Sequence, residues 1–362
     1  MASLFQKIAA AIARPFTKHL RLHLDEAFRQ QRKAIRAEIS AWAKHLQRET
    51  AEIKARLLEH SQYMAENLSD SRFLEHSRYM AENLELLCSM QTTLCEKQDI
   101  ALRRFAFPLD DQRALVRTAV GYMTCSRVEA SLVAGLTETG DLEPGLRRFL
   151  ECYLTEGMTF IDVGAHIGMH TVAAARCVGR KGKVHAFEAT PDTAQHLRQN
   201  VVQNGLEEQT TVHSCFAGAA SGVTSFRKCR ISRHNSKFDH SDVSEMIEVP
   251  VVALDDALAD ERVVDLIKVD VEGAELEVFA GMSQLIQRNP DVCVIAEFAP
   301  VHLDRSGTQK EDWIAFCDRN GFAVFIVDEP SGNLLKTTFA NLMSASTSNI
   351  LMTRGNRTQK FI

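Results

Sequence analysis

The residues best suited to chemistry fall in two stretches. The first, Phe160-Ile161-Asp162-Val163-Gly164-Ala165-His166-Ile167-Gly168, is an apolar run that ends in an acid and a pair of glycines, and it opens into Met169-His170-Thr171-Val172-Ala173-Ala174-Ala175. A strand, a glycine loop and a helix in that order leave backbone N–H groups free at the helix start, where a nucleotide-type ligand is received. Gly164 and Gly168 permit close backbone approach, and Ala165 and His166 complete the loop between them. Val184-His185-Ala186-Phe187-Glu188 is a second strand ending in an acid, with Glu188 twenty residues beyond Gly168. That spacing suits a carboxylate accepting from both ribose hydroxyls.

Asp162 discriminates between cofactors. A carboxylate at the strand end is a poor neighbour for a pyrophosphate, and the loop lacks the middle glycine of a dinucleotide site. A ligand with positive charge near its sugar, such as S-adenosylmethionine with its ammonium and sulfonium, suits it better. The cofactor-binding residues expected are therefore Asp162, Gly164, Ala165, His166, Gly168 and Glu188.

The second stretch is Asp265-Leu266-Ile267-Lys268-Val269-Asp270-Val271-Glu272-Gly273-Ala274-Glu275. Strand alternation puts Lys268 and Asp270 on one face, with Asp270 at the carboxyl end where open α/β sheets bind ligands. Asp270 is the first candidate for a catalytic base and Glu272 the second, with Glu297 and His302 as further candidates. Lys268 equally suits a simple ion pair with Asp270. Acids such as Glu272 and Glu275 are also favoured in a first helical turn by the helix dipole alone. Several carboxylates converge here, so metal dependence is open, but no specific metal-ligand spacing is present and no metal ligand is assigned; His166 and His170 lack the adjacent glutamate of a zinc-protease motif and read as pocket lining. Neither a nucleophile elbow nor a Walker phosphate loop occurs.

These residues require a parallel α/β scaffold. Apolar runs predict strands near 159–163, 183–188, 210–216, 263–270, 292–297, 322–327 and 349–353, with helices over 168–178, 191–204, 273–287 and 309–320. Between strands, Arg227 to His240, with Arg230, Arg233, His234, Asn235 and Lys237, forms a basic insertion that reads equally as a solvated hairpin or as a loop facing an anionic substrate.

The first third differs. Residues 1 to about 105 contain no glycine and a single proline, Pro15. Phe28, Ile35 and Trp42, with Ile39, Leu46 and Ile53, make a short heptad seam, interrupted at Arg32 and Glu49, that predicts self-association as a homo-oligomer. Residues 58–68 return as 74–84, a local duplication of period 16. We place the boundary near Phe107-Pro108, giving a helical region 1–107 and an α/β domain 108–362. Lys7, Arg14, Lys18 and Arg21 precede the first acid, Asp25, so residues 1–24 are a candidate for peripheral contact with an anionic membrane. The net charge of −5 gives no global reason to expect nucleic-acid binding, and nine scattered cysteines without a C-x-x-C pair suit a reducing compartment. No apolar run is long enough to span a bilayer and no secretion signal is evident, so a cytoplasmic location is expected.

From Phe160 to about Pro300 the chain resembles the FkbM family of S-adenosylmethionine-dependent methyltransferases. The resemblance rests on the loop at 162–168, Ala186-Phe187-Glu188-Ala189-Thr190-Pro191, Asn204-Gly205-Leu206, Leu254-Asp255-Asp256, the stretch 265–275 and Ala296-Glu297. It covers at most residues 130–355. It implies a Rossmann-like class I methyltransferase fold with a seven-stranded, mostly parallel sheet, and methyl transfer, usually to oxygen, on a small molecule or glycan. His166 stands where that family usually has Asn, and Met169-His170 where aromatics are common. Two other readings exist: a coiled-coil scaffold with a degenerate domain, which the intact acids and glycines oppose, and a nicotinamide oxidoreductase, which the loop sequence disfavours.

Overall fold

The computed structural model describes residues 106–354, apart from 230–231, 233–234, 239–242, 330 and 345–346, together with the isolated positions 48, 55 and 59. The heptad seam, the segment 1–24, and the duplication save for Glu59, lie outside the described residues. So do Arg230, Arg233 and His234 of the basic insertion. The chain divides into two units between Phe105 and Ala106.

The second unit begins with a small antiparallel sheet of β1 (Ala106–Pro108), β2 (Arg113–Arg117) and β3 (Tyr122–Ser126). The central sheet follows, built from β4 (Thr159–Val163), β5 (Lys183–Phe187), β6 (Thr210–His213), β10 (Leu266–Val269), β11 (Cys293–Phe298), β12 (Ala323–Val327), β13 (Leu334–Lys336) and β14 (Ser348–Thr353). A third sheet of β7 (Phe216–Ala217), β9 (Val243–Val252) and β8 (Gly222–Cys229) lies between β6 and β10 in sequence.

The central order is β13-β12-β14-β11-β10-β4-β5-β6. Strands β6, β5, β4, β10 and β11 pair in parallel, while β14 pairs antiparallel with both β11 and β12. The seven expected strands are all in this sheet, and the short β13 adds an eighth at its edge. Beyond β4 the connection reverses, from β5 and β6 on one side to β10 and β11 on the other. The crevice at the carboxyl ends of β4 and β10 is therefore the switch point where such sheets take ligands.

Sheet alternation divides the core in two. Phe160, Val184, Leu266 and Ile295 face the helices Pro144–Tyr153, Met169–Val178 and Pro191–Gln203, whereas Ile161, Phe187, Ile267 and Val294 face the side that holds Phe279, Trp313 and Phe316. Both faces are covered, so the central strands β4 and β10 are buried on both sides and mostly apolar, with Asp162 and Lys268 as buried charged exceptions. Every residue of β4 is buried.

Two elements depart from expectation. The strand expected over 210–216 stops at His213, because Phe216 and Ala217 leave the central sheet to pair with Val251 and Val252 of β9. The helix expected over 273–287 divides into Glu275–Ala280 and Ser283–Arg288. Its second half is capped from outside: the Asp255 carboxylate accepts from the N–H groups of Gln284 and Leu285 at 3.0 and 2.7 Å. Those donors are orphaned at a new helix start, which compensates for the broken ladder. Among the described residues, no helix is long and apolar enough to cross a membrane.

Candidate active site

A cavity of about 480 Å³ opens at the carboxyl ends of β4, β5 and β10. Gly164, Ala165, His166, Glu188, Asp270 and Glu272 line it, whereas Asp162 and Gly168 do not.

Backbone geometry builds the loop. The N–H groups of Gly164 and Ala165 both donate to Phe187 O at 3.0 Å, tying the loop to the end of β5. Gly164 has φ 75°, and a Cβ there would sit 1.7 Å from the carbonyl oxygen of Asp270. Its glycine is thus required by the neighbouring strand's backbone as well as by its torsion. Gly168, at φ 92°, begins the following helix, and a Cβ there would meet Leu197 at 2.4 Å. Gly168 is a packing residue of the loop and not a wall of the cavity.

Glu188 lies at the rim with each oxygen already oriented. Oε2 accepts from His166 N at 3.0 Å and Oε1 from Thr190 N at 2.9 Å. A carboxylate has about four acceptor sites, so two remain for ligand hydroxyls. Burial raises its pKa, against the pull of those two N–H donors. His166 holds the loop conformation at φ 53°, and burial depresses its pKa to about 4. The imidazole is neutral at pH 7, and its Nε2 lies 2.5 Å from Ser232 Oγ.

Asp162, expected at the cofactor, lies behind the wall of the cavity. It is fully buried beneath the loop, with Oδ2 accepting from Thr171 Oγ1 at 2.6 Å. Its partner strand places Lys268 directly alongside, and Lys268 Nζ lies 3.6 Å from Asp162 Oδ1 and 3.0 Å from Asp270 Oδ2. Burial disfavours the lysine's charge, yet Asp270 and Asp162 together hold its pKa above the ordinary value. Burial would raise Asp270, but Lys268 outweighs it and holds that carboxylate below the usual range. Asp162 therefore anchors the helix and neutralises Lys268 from behind the wall. The ion pair expected for Lys268 and Asp270 forms.

At the far side Glu272 stands at φ 56°, and with His166 it is one of two positive-φ non-glycine residues among those described. Such conformations are uncommon and gather at functional sites. Its Oε2 lies 3.3 Å from His302 Nε2 and 3.2 Å from Arg305 Nη2. The other imidazole nitrogen, Nδ1, is 3.5 Å from Glu297 Oε2. Burial, followed by Asp270 and Glu272, pushes Glu297 up to about 10. Glu275 turns away from the cavity and accepts from the N–H groups of Val271 and Gly273, pushed by burial to about 6. The dipole reading suits Glu275; Glu272 belongs to the cavity.

Several lining residues escaped sequence reasoning. Glu129 accepts from the backbone N–H and, at 2.7 Å, the hydroxyl of Ser232, which links the residue before the helix Ala130–Glu138 to the insertion and to His166. Glu143, just before the helix Pro144–Tyr153, lies 3.6 Å from His170 Nε2. Neither acid sits in a motif; each precedes a helix, a place where acids are ordinary.

The residues present fit S-adenosylmethionine. The volume lies in the range of small-molecule sites, Glu188 offers acceptors for hydroxyls, and Phe187, Phe216 and Ala217 supply apolar wall. The cavity's carboxylates, Glu129, Glu143, Asp270 and Glu272 among them, outnumber Lys268 and suit a cationic ligand.

Residues 162–324 match the model of the methyltransferase FkbM domain. Over 129 residues, 35% of this chain and 50% of the relative, the sequence is 30% identical to hexuronic acid methyltransferase AglP of Haloferax volcanii. Over 60 residues, 17% of this chain and 30% of the relative, it is 33% identical to protein-L-isoaspartate O-methyltransferase of Methanococcoides burtonii. The chain thus spans half or less of the length of these curated relatives. A TehB-like S-adenosylmethionine-dependent methyltransferase of Corynebacterium glutamicum aligns over 62% of this chain and 96% of its own, at 12% identity and a TM-score of 0.38. Residues 162–324 are thus similar to a methyltransferase FkbM domain.

Proposed function

We propose that the protein methylates a hydroxyl oxygen of a sugar, glycan or other small polyol. The observation that carries this reading is one cavity with two differently built ends. Glu188 and the loop 164–166 form the end that holds the cofactor's sugar, and Asp270 and Glu272 face the same space from the end of β10. When bound, S-adenosylmethionine supplies a methyl group on a positively charged sulfur.

The chain's own residues orient the acceptor and take its proton. Asp270 is held by Lys268 through Oδ2, which leaves Oδ1 to accept from an acceptor hydroxyl. Because Lys268 lowers its pKa, Asp270 is a modest base, and part of its role is alignment of the oxygen. Glu272, fixed by Arg305, is the second acceptor. The acid-rich wall favours neutral hydroxyls over an anionic acceptor. The partial similarity to a hexuronic acid methyltransferase makes sugars the first class to test.

The test has two stages. Calorimetric titration with S-adenosylhomocysteine is expected to show binding, and NAD none. Transfer of labelled methyl to a panel of neutral sugars, uronic acids and amines is then expected to yield an alkali-stable ether. An alkali-labile ester on the uronic acids, or label on the amines alone, would overturn the hydroxyl assignment. Binding of NAD in place of S-adenosylhomocysteine would overturn the reaction class.

A further inference from the structure

We propose that Glu272, Glu297 and His302 form a site for one divalent transition-metal cation of the Mn²⁺ or Zn²⁺ type, in the wall of the cavity beside Asp270. No metal motif announces it in the sequence. The three residues come from the turn after β10, from β11 and from the helix Pro300–Ser306, and one donor atom from each lies within 4.8 Å of the others. An imidazole with two carboxylates is a donor set such cations accept.

Unmet hydrogen bonding points to the missing ligand independently. His302 is only 9% exposed, and its Nδ1 is buried without a hydrogen-bond partner. The atom it faces, Glu297 Oε2, is also buried and unpartnered. Their separation of 3.5 Å is too long for a good hydrogen bond. It matches two donors sharing one cation: metal bonds of about 2.1 Å at tetrahedral angles put neighbouring ligand atoms about 3.4 Å apart. Buried polar atoms without partners are rare and costly, so two that face each other call for a group between them. Glu272 and Glu297 both line the cavity, so the remaining coordination positions open toward the acceptor space. Arg305, bonded to Glu272 Oε2 at 3.2 Å, competes for that carboxylate and weakens the site.

Electron paramagnetic resonance of Mn²⁺ titrated into the full chain tests the proposal. One Mn²⁺ per chain is expected. Its affinity should fall about tenfold or more in both Glu297→Gln and His302→Gln, and rise in Arg305→Gln. Thermal melts of the metal-free variants check that each is folded, and either the Glu297 or the His302 variant suffices if the other is not. Absence of Mn²⁺ binding together with absence of Zn²⁺ binding by calorimetry would overturn the site, as would equal Mn²⁺ affinity in the folded variants. S-adenosylhomocysteine binding, measured on the same samples, reads the methyl-transfer assignment separately.

Discussion

The two ends of the cavity are built on opposite principles. At the cofactor end the backbone does the holding: Gly164 and Ala165 donate to Phe187 O, and both oxygens of Glu188 rest on N–H groups. At the acid end side chains hold one another, and Glu297 Oε2 and His302 Nδ1 are left without hydrogen bonds. Both Glu188 oxygens are thus oriented before a ligand arrives, although Asp162 Oδ1 beneath the loop lacks a hydrogen-bond partner, whereas the facing pair at the acid end would be stabilised by a ligand between them.

This contrast can be broken by substitution. The largest effect is expected behind the wall, where Asp162→Ala removes a fully buried partner of Lys268 and the acceptor of Thr171; denaturant unfolding should show a loss of about 3 kcal/mol. If stability holds while S-adenosylhomocysteine binding disappears, Asp162 contacts the ligand after all. Next, Asp270→Asn should lower kcat about 100-fold, roughly 2.7 kcal/mol, because a base held at depressed pKa sits at the low end of general-base effects. Cofactor affinity should stay unchanged, and an equal loss in both quantities would erase the division into two ends.

A smaller effect belongs to Glu188→Gln, which should weaken S-adenosylhomocysteine by about 30-fold, or about 2 kcal/mol. Its pH dependence carries a sign. Burial holds the folded pKa above the ordinary 4.5, and the ligand's hydroxyls need the ionised form. Affinity is therefore full on the alkaline side and falls as pH drops through that raised pKa, already above 4.5; a titration series in wild type shows the fall and the Gln variant abolishes it. Smallest is His166→Asn. Asn tolerates the same left-handed backbone and presents the same N–H to Glu188, so the change in affinity should be less than about threefold. A larger loss would mean that the Ser232 contact carries part of the binding.

Much of the geometry at the end of the cavity formed by the glycine loop and Glu188 was legible from local pattern. The apolar run at 160–163 and the glycines at 164 and 168 place strand, loop and helix, and the twenty-residue interval brings Glu188 to the same edge. These features depend on neighbours in the chain, through strand alternation and positive φ, so local physics reaches them. The break at residues 281–282 was not legible, because the cap that permits it comes from Asp255, on a segment 29 residues away from Gln284. Nor was the exit of Phe216 from the central sheet, decided by pairing with Val251.

By itself the sequence determined the kind of scaffold and the strand, glycine loop and helix at residues 160–175, since both follow from periodicity and from glycines held at positive φ. Tertiary structure alone decided which acids face the cavity. Asp162 and Asp270 both end apolar strands, yet the register that sets Lys268 beside Asp162 seals one beneath the loop and leaves the other at the wall. Glu272, Glu297 and His302 meet only because β10, β11 and the helix after β11 converge at one edge, and charge and desolvation act through space rather than along the chain.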